Sequence, residues 1–199
     1  MIELHIRDTD PLVFGAMTAA FAGEYTVTVS QGDIFDARAD AIVSPANSFG
    51  CMDGGIDQVF SEFFGATLEH RLRALLREEH HGELPVGQAL IMETRRAEIP
   101  YLVSAQTMRI PGSVSRTLNA YLACRAALAA VLAHNACGAR QIQTLLMPGM
   151  ATGIGDMPPE RAARQMRLAY ETVLKGRGIR EMQLGQIWSE HFELMNFGQ

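Results

Sequence analysis

Two loops decide what this chain can become. In each, a short apolar run ends beside a proline, small and polar residues punctuated by glycine follow, and helical periodicity then resumes. The first is Ser44-Pro45-Ala46-Asn47-Ser48-Phe49-Gly50-Cys51-Met52-Asp53-Gly54-Gly55-Ile56-Asp57, after the run at residues 40–43. The second is Met147-Pro148-Gly149-Met150-Ala151-Thr152-Gly153-Ile154-Gly155-Asp156, after the run at residues 142–146. Strand, loop and helix in that order are the unit of an open α/β sheet. Ligands of such sheets sit beyond the carboxyl ends of the strands, where helix N-termini expose free backbone N–H groups. Neither loop contains Lys or Arg. An anion bound there must therefore be held by peptide N–H groups and helix dipoles.

The spacing excludes the commonest nucleotide loops. Gly149, Gly153 and Gly155 are in the wrong order for a dinucleotide fingerprint, and no Gly-Lys-Ser/Thr follows either loop. The rest of the chain alternates the two periodicities. Strands are expected at residues 2–6, 25–29, 40–43, 88–92, 99–103 and 142–147, the last at the sheet centre. Residues 44–55 read as irregular throughout. Helices are expected from Pro11 to near Gly23, in two pieces from Ile56 and from Leu68 to His81, from a Ser115 cap to about His134, and from Pro158-Pro159 to Lys175. The fourth of these would turn Leu118, Leu122, Leu128 and Leu132 inward. This order predicts a three-layer α/β/α domain with a central mixed, largely parallel sheet.

At 199 residues and 48% hydrophobic, the chain can bury one substantial core, and a single domain over 1–199 is expected. Its net charge is −5 and its basic residues are scattered, which argues against polymeric nucleic acid as a partner. No apolar run approaches the roughly 20 residues of a bilayer span, and no secretory leader is seen, so no membrane partner and a cytoplasmic location are expected. Cys51, Cys124 and Cys137 lack paired spacing, and the histidines form no ligand motif, so neither a disulfide framework nor a metal is expected.

Four short motifs, Gly32-Asp33-Ile34, Ala46-Asn47, Gly54-Gly55-Ile56-Asp57 and Thr152-Gly153-Ile154-Gly155, stand in the order and at the junctions of the macrodomain family, which the chain resembles over about 25–175. Residues 1–24 read as an added β-α element and 178–199 as a C-terminal segment. The resemblance implies that the chain binds ADP-ribose, with no cofactor. It would place Asp33 and the N–H of Ile34 on adenine, Ala46 and Asn47 at the distal ribose, Gly54, Gly55 and Ile56 along the first phosphate and ribose, and Thr152, Gly153, Ile154 and Gly155 over the diphosphate.

Asp57 follows Asn47 by the spacing of hydrolytic macrodomains of the MacroD type. The resemblance therefore implies metal-independent hydrolysis of mono-ADP-ribosylated protein or O-acetyl-ADP-ribose, with Asn47 and Asp57 as the catalytic pair. Two alternatives stay open: a non-catalytic ADP-ribose reader and an ADP-ribose 1″-phosphate phosphatase. The chain departs from the family at Cys51-Met52-Asp53, where glycines are usual, and at Gly155, where related hydrolases place an aromatic for which Phe49 is the local substitute. Trp188, Phe192 and Phe197 are the candidates for stacking on adenine. Taken alone, Asp33 is an ordinary turn residue and Asp57 an ordinary first-turn acid.

Overall fold

Alternation of side chains along buried strands sets the layers. Ile42 and Val43, like Leu146 and Leu145, are neighbours in sequence that point to opposite faces of one sheet, and all four are fully buried. The computed structural model describes residues 1–138, 140–177 and 182–198. The strands are β1 (Glu3–Asp8), β2 (Val27–Gln31), β3 (Ala41–Asn47), β4 (Ala89–Glu93), β5 (Tyr101–Met108) and β6 (Thr144–Met147). They form one sheet in the order β2-β1-β6-β3-β5-β4, parallel throughout except for the antiparallel β4–β5 pair.

Helices cover both faces. Val43, Leu145 and Met147 pack with Met17 of α1 (Pro11–Ala20), Leu128 of α4 (Asn119–Ala136) and Met166 of α5 (Pro159–Leu174). On the other face, Ile42, Leu102 and Leu146 pack with Phe60 of α2 (Gly55–Phe64) and with Leu68, Leu72 and Leu76 of α3 (Thr67–Glu79). A last helix, α6 (Leu184–Asn196), rests on α5 outside these layers. The expected three-layer α/β/α arrangement with a mixed, largely parallel sheet is therefore what the chain adopts.

Three local readings need correction. Residues 44–47 are not irregular, because β3 continues through Pro45 to Asn47. The third strand pairs with β6 only at Ala41 and Ile42, so beyond that point it is an edge on that side, where a proline is tolerated. Ser115 does not cap α4, which begins at Asn119, with the Thr117 hydroxyl accepting from the Asn119 N–H at 3.1 Å. The inner face of α4 is also small rather than leucine-rich. Ala120, Ala123, Cys124, Ala127, Leu128 and Val131 are fully buried, whereas Leu132 is exposed. Small side chains let α4 lie close against α5 and the sheet.

Segment 1–24 is integral to the sheet, since β1 stands second in strand order, hydrogen-bonded to both β2 and β6.

Candidate functional site

The carboxyl ends of four strands meet at one cavity of about 360 Å³. Asp8 ends β1, Asn47 ends β3, Thr107 and Met108 end β5, Pro148 follows β6, and all line it. Both glycine-punctuated loops close around it. They touch each other, because a methyl group added at Gly55 would lie 2.8 Å from Ile154 Cδ1 and one at Gly54 would lie 3.8 Å away. Gly55 also has a φ of +59°, a conformation that favours glycine. Gly54, Gly55, Ile56, Asp57, Thr152, Gly153, Ile154 and Gly155 thus share one wall-to-wall site.

Backbone amides share its lining with Asn47 and with the carboxyl groups of Asp8, Asp10, Asp53 and Asp57. Gly54 caps α2 without any side-chain hydrogen bond, so the first-turn N–H groups of that helix are left for a ligand or water. In the second loop, Thr152 Oγ1 donates to the Gly149 carbonyl at 3.1 Å, the Asp156 N–H to Gly153 at 2.9 Å and the Met157 N–H to Ala151 at 3.0 Å. These bonds fold the loop on itself and hold Ala151 at a φ of +64°. Among the described residues, the N–H groups from Ala151 to Gly155 donate to no protein acceptor. A run of unpaired amides beside a helix N-terminus that lacks a side-chain cap can hold an anion.

Asp57 sits in the first turn of α2 and is buried, with 7% of its surface exposed. Ser44 Oγ on β3 donates to its Oδ1 at 2.5 Å. Burial pushes its carboxyl up to about 7; the Ser44 hydrogen bond opposes that, and the charges of Glu69 and Asp53 add to it. A carboxyl that titrates near neutrality beside a cavity can take or give a proton at working pH.

Asn47 lines the same cavity but is engaged with its own loop. Its Oδ1 accepts from the Phe49 and Cys51 N–H groups at 3.1 and 3.3 Å, and its Nδ2 donates to the Cys51 carbonyl at 2.7 Å. A register shift between Ala46 and Asn47 in the β3–β5 ladder turns the side chain to this position. Ala46 is buried under it and does not reach the cavity wall.

Asp33 and Ile34 are not among the lining residues. Asp33 is exposed and caps a 3₁₀ turn, its Oδ1 accepting from the Phe35 N–H at 2.9 Å, while Ile34 is buried in the core beneath α2. The connection to the site is indirect: the Gly32 N–H donates to the Asp8 carbonyl at 2.9 Å, so the Gly32–Asp33 turn adjoins the end of the cavity that Asp8 and Thr9 line.

The departures in the first loop fall in different places. Met52 is buried in the core, so its bulk never enters the cavity, whereas Asp53 and Cys51 do line it. Phe49 lies under the Arg109 guanidinium, 5.2 Å from ring to cation, and does not line the cavity, so it does not replace the aromatic absent at Gly155. Trp188 and Phe192 lie on α6 and Phe197 just beyond it, and none of them lines the cavity.

Sequence reasoning missed Ser44, Asp8, Asp10 and Val13. For Ser44 a signal existed, since a hydroxyl ending an apolar strand needs a partner if buried. Asp8 accepts from the Gly149 N–H at 3.0 Å and so braces the second loop from β1, a contact that no local pattern announces. Among the described residues, no group of three or more His, Cys, Asp or Glu is placed to hold a metal ion.

Comparison with known proteins adds a family. The Macro domain model matches residues 43–166. An uncharacterized protein of Aeropyrum pernix is 31% identical over 78% of this chain and 75% of its own. O-acetyl-ADP-ribose deacetylase 2 of Pantoea vagans is 24% identical over 84% of this chain and 95% of its own. Among solved structures, a glycine-to-valine mutant of the Oceanobacillus iheyensis macrodomain with ADPR superposes with a TM-score of 0.56 at 19% identity, covering 69% of this chain and 73% of that one.

Proposed function

This chain belongs to the macrodomain family, and from that premise we propose that it binds ADP-ribose across the carboxyl edge of its sheet and hydrolyses an ADP-ribosyl ester with Asp57. One observation carries the reading: the two amide-lined loops meet through Gly55 and Ile154 over a single cavity that also contains the buried Asp57. The diphosphate lies on the amides of α2 and of Ala151–Gly155, with no basic side chain in either loop. Adenine extends past Asp8 to the Gly32–Asp33 turn, where the Asp33 carboxylate takes its exocyclic amine and the Ile34 N–H a ring nitrogen. The distal ribose faces Asn47 and Asp57.

In its ionised form Asp57 accepts a proton from water as the water oxygen bonds to the ester carbonyl or to the anomeric carbon. The bond to the leaving oxygen then breaks, and the proton held on Asp57 passes to that oxygen. The coupled release of ADP-ribose and a free carboxylic acid is the test, measured on a protein modified at Glu or Asp and on O-acetyl-ADP-ribose. No turnover on either substrate would contradict hydrolysis. Tight binding without turnover would favour a reader, the reading supported by the commitment of Asn47's side chain to its own loop.

Ser44 gives this mechanism a signature. Because its hydroxyl stabilises the Asp57 carboxylate, Ser44→Ala raises the carboxyl further. The limb of the pH–rate profile governed by Asp57, centred near 7 in the wild type, is expected to move to higher pH. A limb that stays in place in the variant would remove Ser44 from the account.

A further inference from the structure

The last helix is turned inside out. An amphipathic helix on a protein surface normally buries its apolar stripe and shows its charges to water. In α6, Leu184, Trp188 and Phe192, spaced four apart on one face, are 71%, 63% and 53% exposed, and Ile187 beside them is 38% exposed. Trp188 and Phe192 stand edge to face at 6.2 Å, with His191 at 5.4 Å from Phe192.

Polar groups hold the opposite face to the domain. Arg161 Nε donates to the Phe197 carbonyl at 3.0 Å and Gln165 Nε2 to the Leu194 carbonyl at 3.2 Å. Glu193 pairs with Arg164 at 3.1 Å and Glu190 with Arg177 at 2.5 Å. Leu194 is the one residue of α6 that is fully buried.

The geometry points to α6 as the contact by which two copies of this chain form a two-fold dimer, helix against helix through Leu184, Trp188 and Phe192. Charge selects the second copy as occupant. A two-fold contact sets the same face of both copies against itself, residue i of one against residue j of the other and the reverse, so it requires a stripe that does not repel itself. Both acids of α6 are neutralised by arginines of their own chain, Gly185, Gln186, Ser189 and Asn196 on the remaining surface are uncharged, and His191 beside Phe192 is the one other titratable residue of the helix. A membrane surface would instead favour Lys or Arg on the polar face, and α6 has neither. By ordinary side-chain areas the stripe offers on the order of 500 Å² per copy, about 1,000 Å² for the pair, which sets a weak and concentration-dependent dimer. None of the four aromatics and aliphatics of the stripe lines the ligand cavity.

Trp188 is the single tryptophan of the chain, so its emission reports this helix alone. The test is sedimentation equilibrium with fluorescence on the full chain across about 5 to 500 μM, the range suited to an interface of this size. The expected mass rises from one chain toward two as the emission moves to shorter wavelength. Phe192→Glu removes both changes, Trp188→Glu removes the mass change, and both variants bind ADP-ribose as the wild type does. Three results overturn the inference: a single-chain mass at every concentration, a mass increase that both variants retain, or an emission shift produced only by phosphatidylcholine vesicles.

Discussion

Replacing Asp57 with Asn is expected to slow ADP-ribosyl ester hydrolysis by about 10²–10⁴-fold, the usual contribution of a positioned acid-base group. ADP-ribose affinity should hold or improve, because the substitution removes a negative charge beside a diphosphate and keeps the shape of the side chain. The same variant has a stability signature whose sign is fixed. The folded-state carboxyl titrates near 7 against an ordinary 3.8, so the folded protein holds this proton more tightly than the unfolded chain. The stabilisation from that proton is complete at pH below 3.8 and is lost as pH rises to about 7. Above that the wild type carries the full penalty of a buried carboxylate, roughly 4 kcal/mol by the standard conversion. Asp57→Asn lacks this dependence, so its advantage in Tm over the wild type grows from pH 4 to 7 and then levels. Equal Tm differences at pH 5 and 8 would show that burial does not perturb Asp57.

The second large effect is expected at Gly155. A methyl group there would lie 2.5 Å from the Ala151 carbonyl oxygen, a backbone atom that cannot swing aside, and 3.0 Å from Val114 Cγ2. The Gly155 carbonyl also accepts from the Val114 N–H at 2.8 Å, which ties the second loop to the segment before α4. Gly155→Ala must therefore open the loop that presents the amides. Strain of about 1–3 kcal/mol is the normal result of overpacking, and passed on to the ligand it weakens ADP-ribose binding by roughly 10- to 100-fold. Gly15→Ala, on the exposed side of α1 and away from the cavity, is the control. Nothing lies within 4 Å of a methyl group at that position, so its affinity should equal that of the wild type. If the two variants bind alike, the loop's shape is not what holds the ligand.

These effects separate what could be read from the chain and what could not. The layers were legible because apolar periodicity is local: alternating strands and stripes such as Leu68, Leu72 and Leu76 declare their buried faces without reference to the rest of the molecule. Both loops were legible for the same reason, since glycine and proline forbid most regular structure. The extension of β3 to Asn47 was not, because a proline reads as a breaker until the end of the β6 pairing is known. The face of α4 was misread because leucine suggests burial more strongly than alanine does, while the space available between α4, α5 and the sheet favours the smaller residue.

Within the site, Asp57 and Asn47 were singled out by the resemblance to macrodomains, but their states were not legible. Asp57's burial and its bond to Ser44 join residues thirteen positions apart through a strand and a helix. Asp8 meets Gly149 across 141 positions. Such contacts depend on strand order, and strand order is set by the whole fold. The aromatics of α6 show the converse, since a sequence search for a base-stacking ring finds them although the fold carries them to a different surface.

The central proposal is that the two loops act as one anion site, with adenine reaching the Gly32–Asp33 turn. Calorimetric titration with ADP-ribose, AMP and NAD, repeated with Asp33→Ala, addresses this directly. The expected result is one ADP-ribose per chain, bound at least about tenfold more tightly than AMP or NAD, a difference of roughly 1.4 kcal/mol, with affinity reduced in Asp33→Ala. No heat with ADP-ribose, or equal affinity for AMP, would contradict a diphosphate held between the loops.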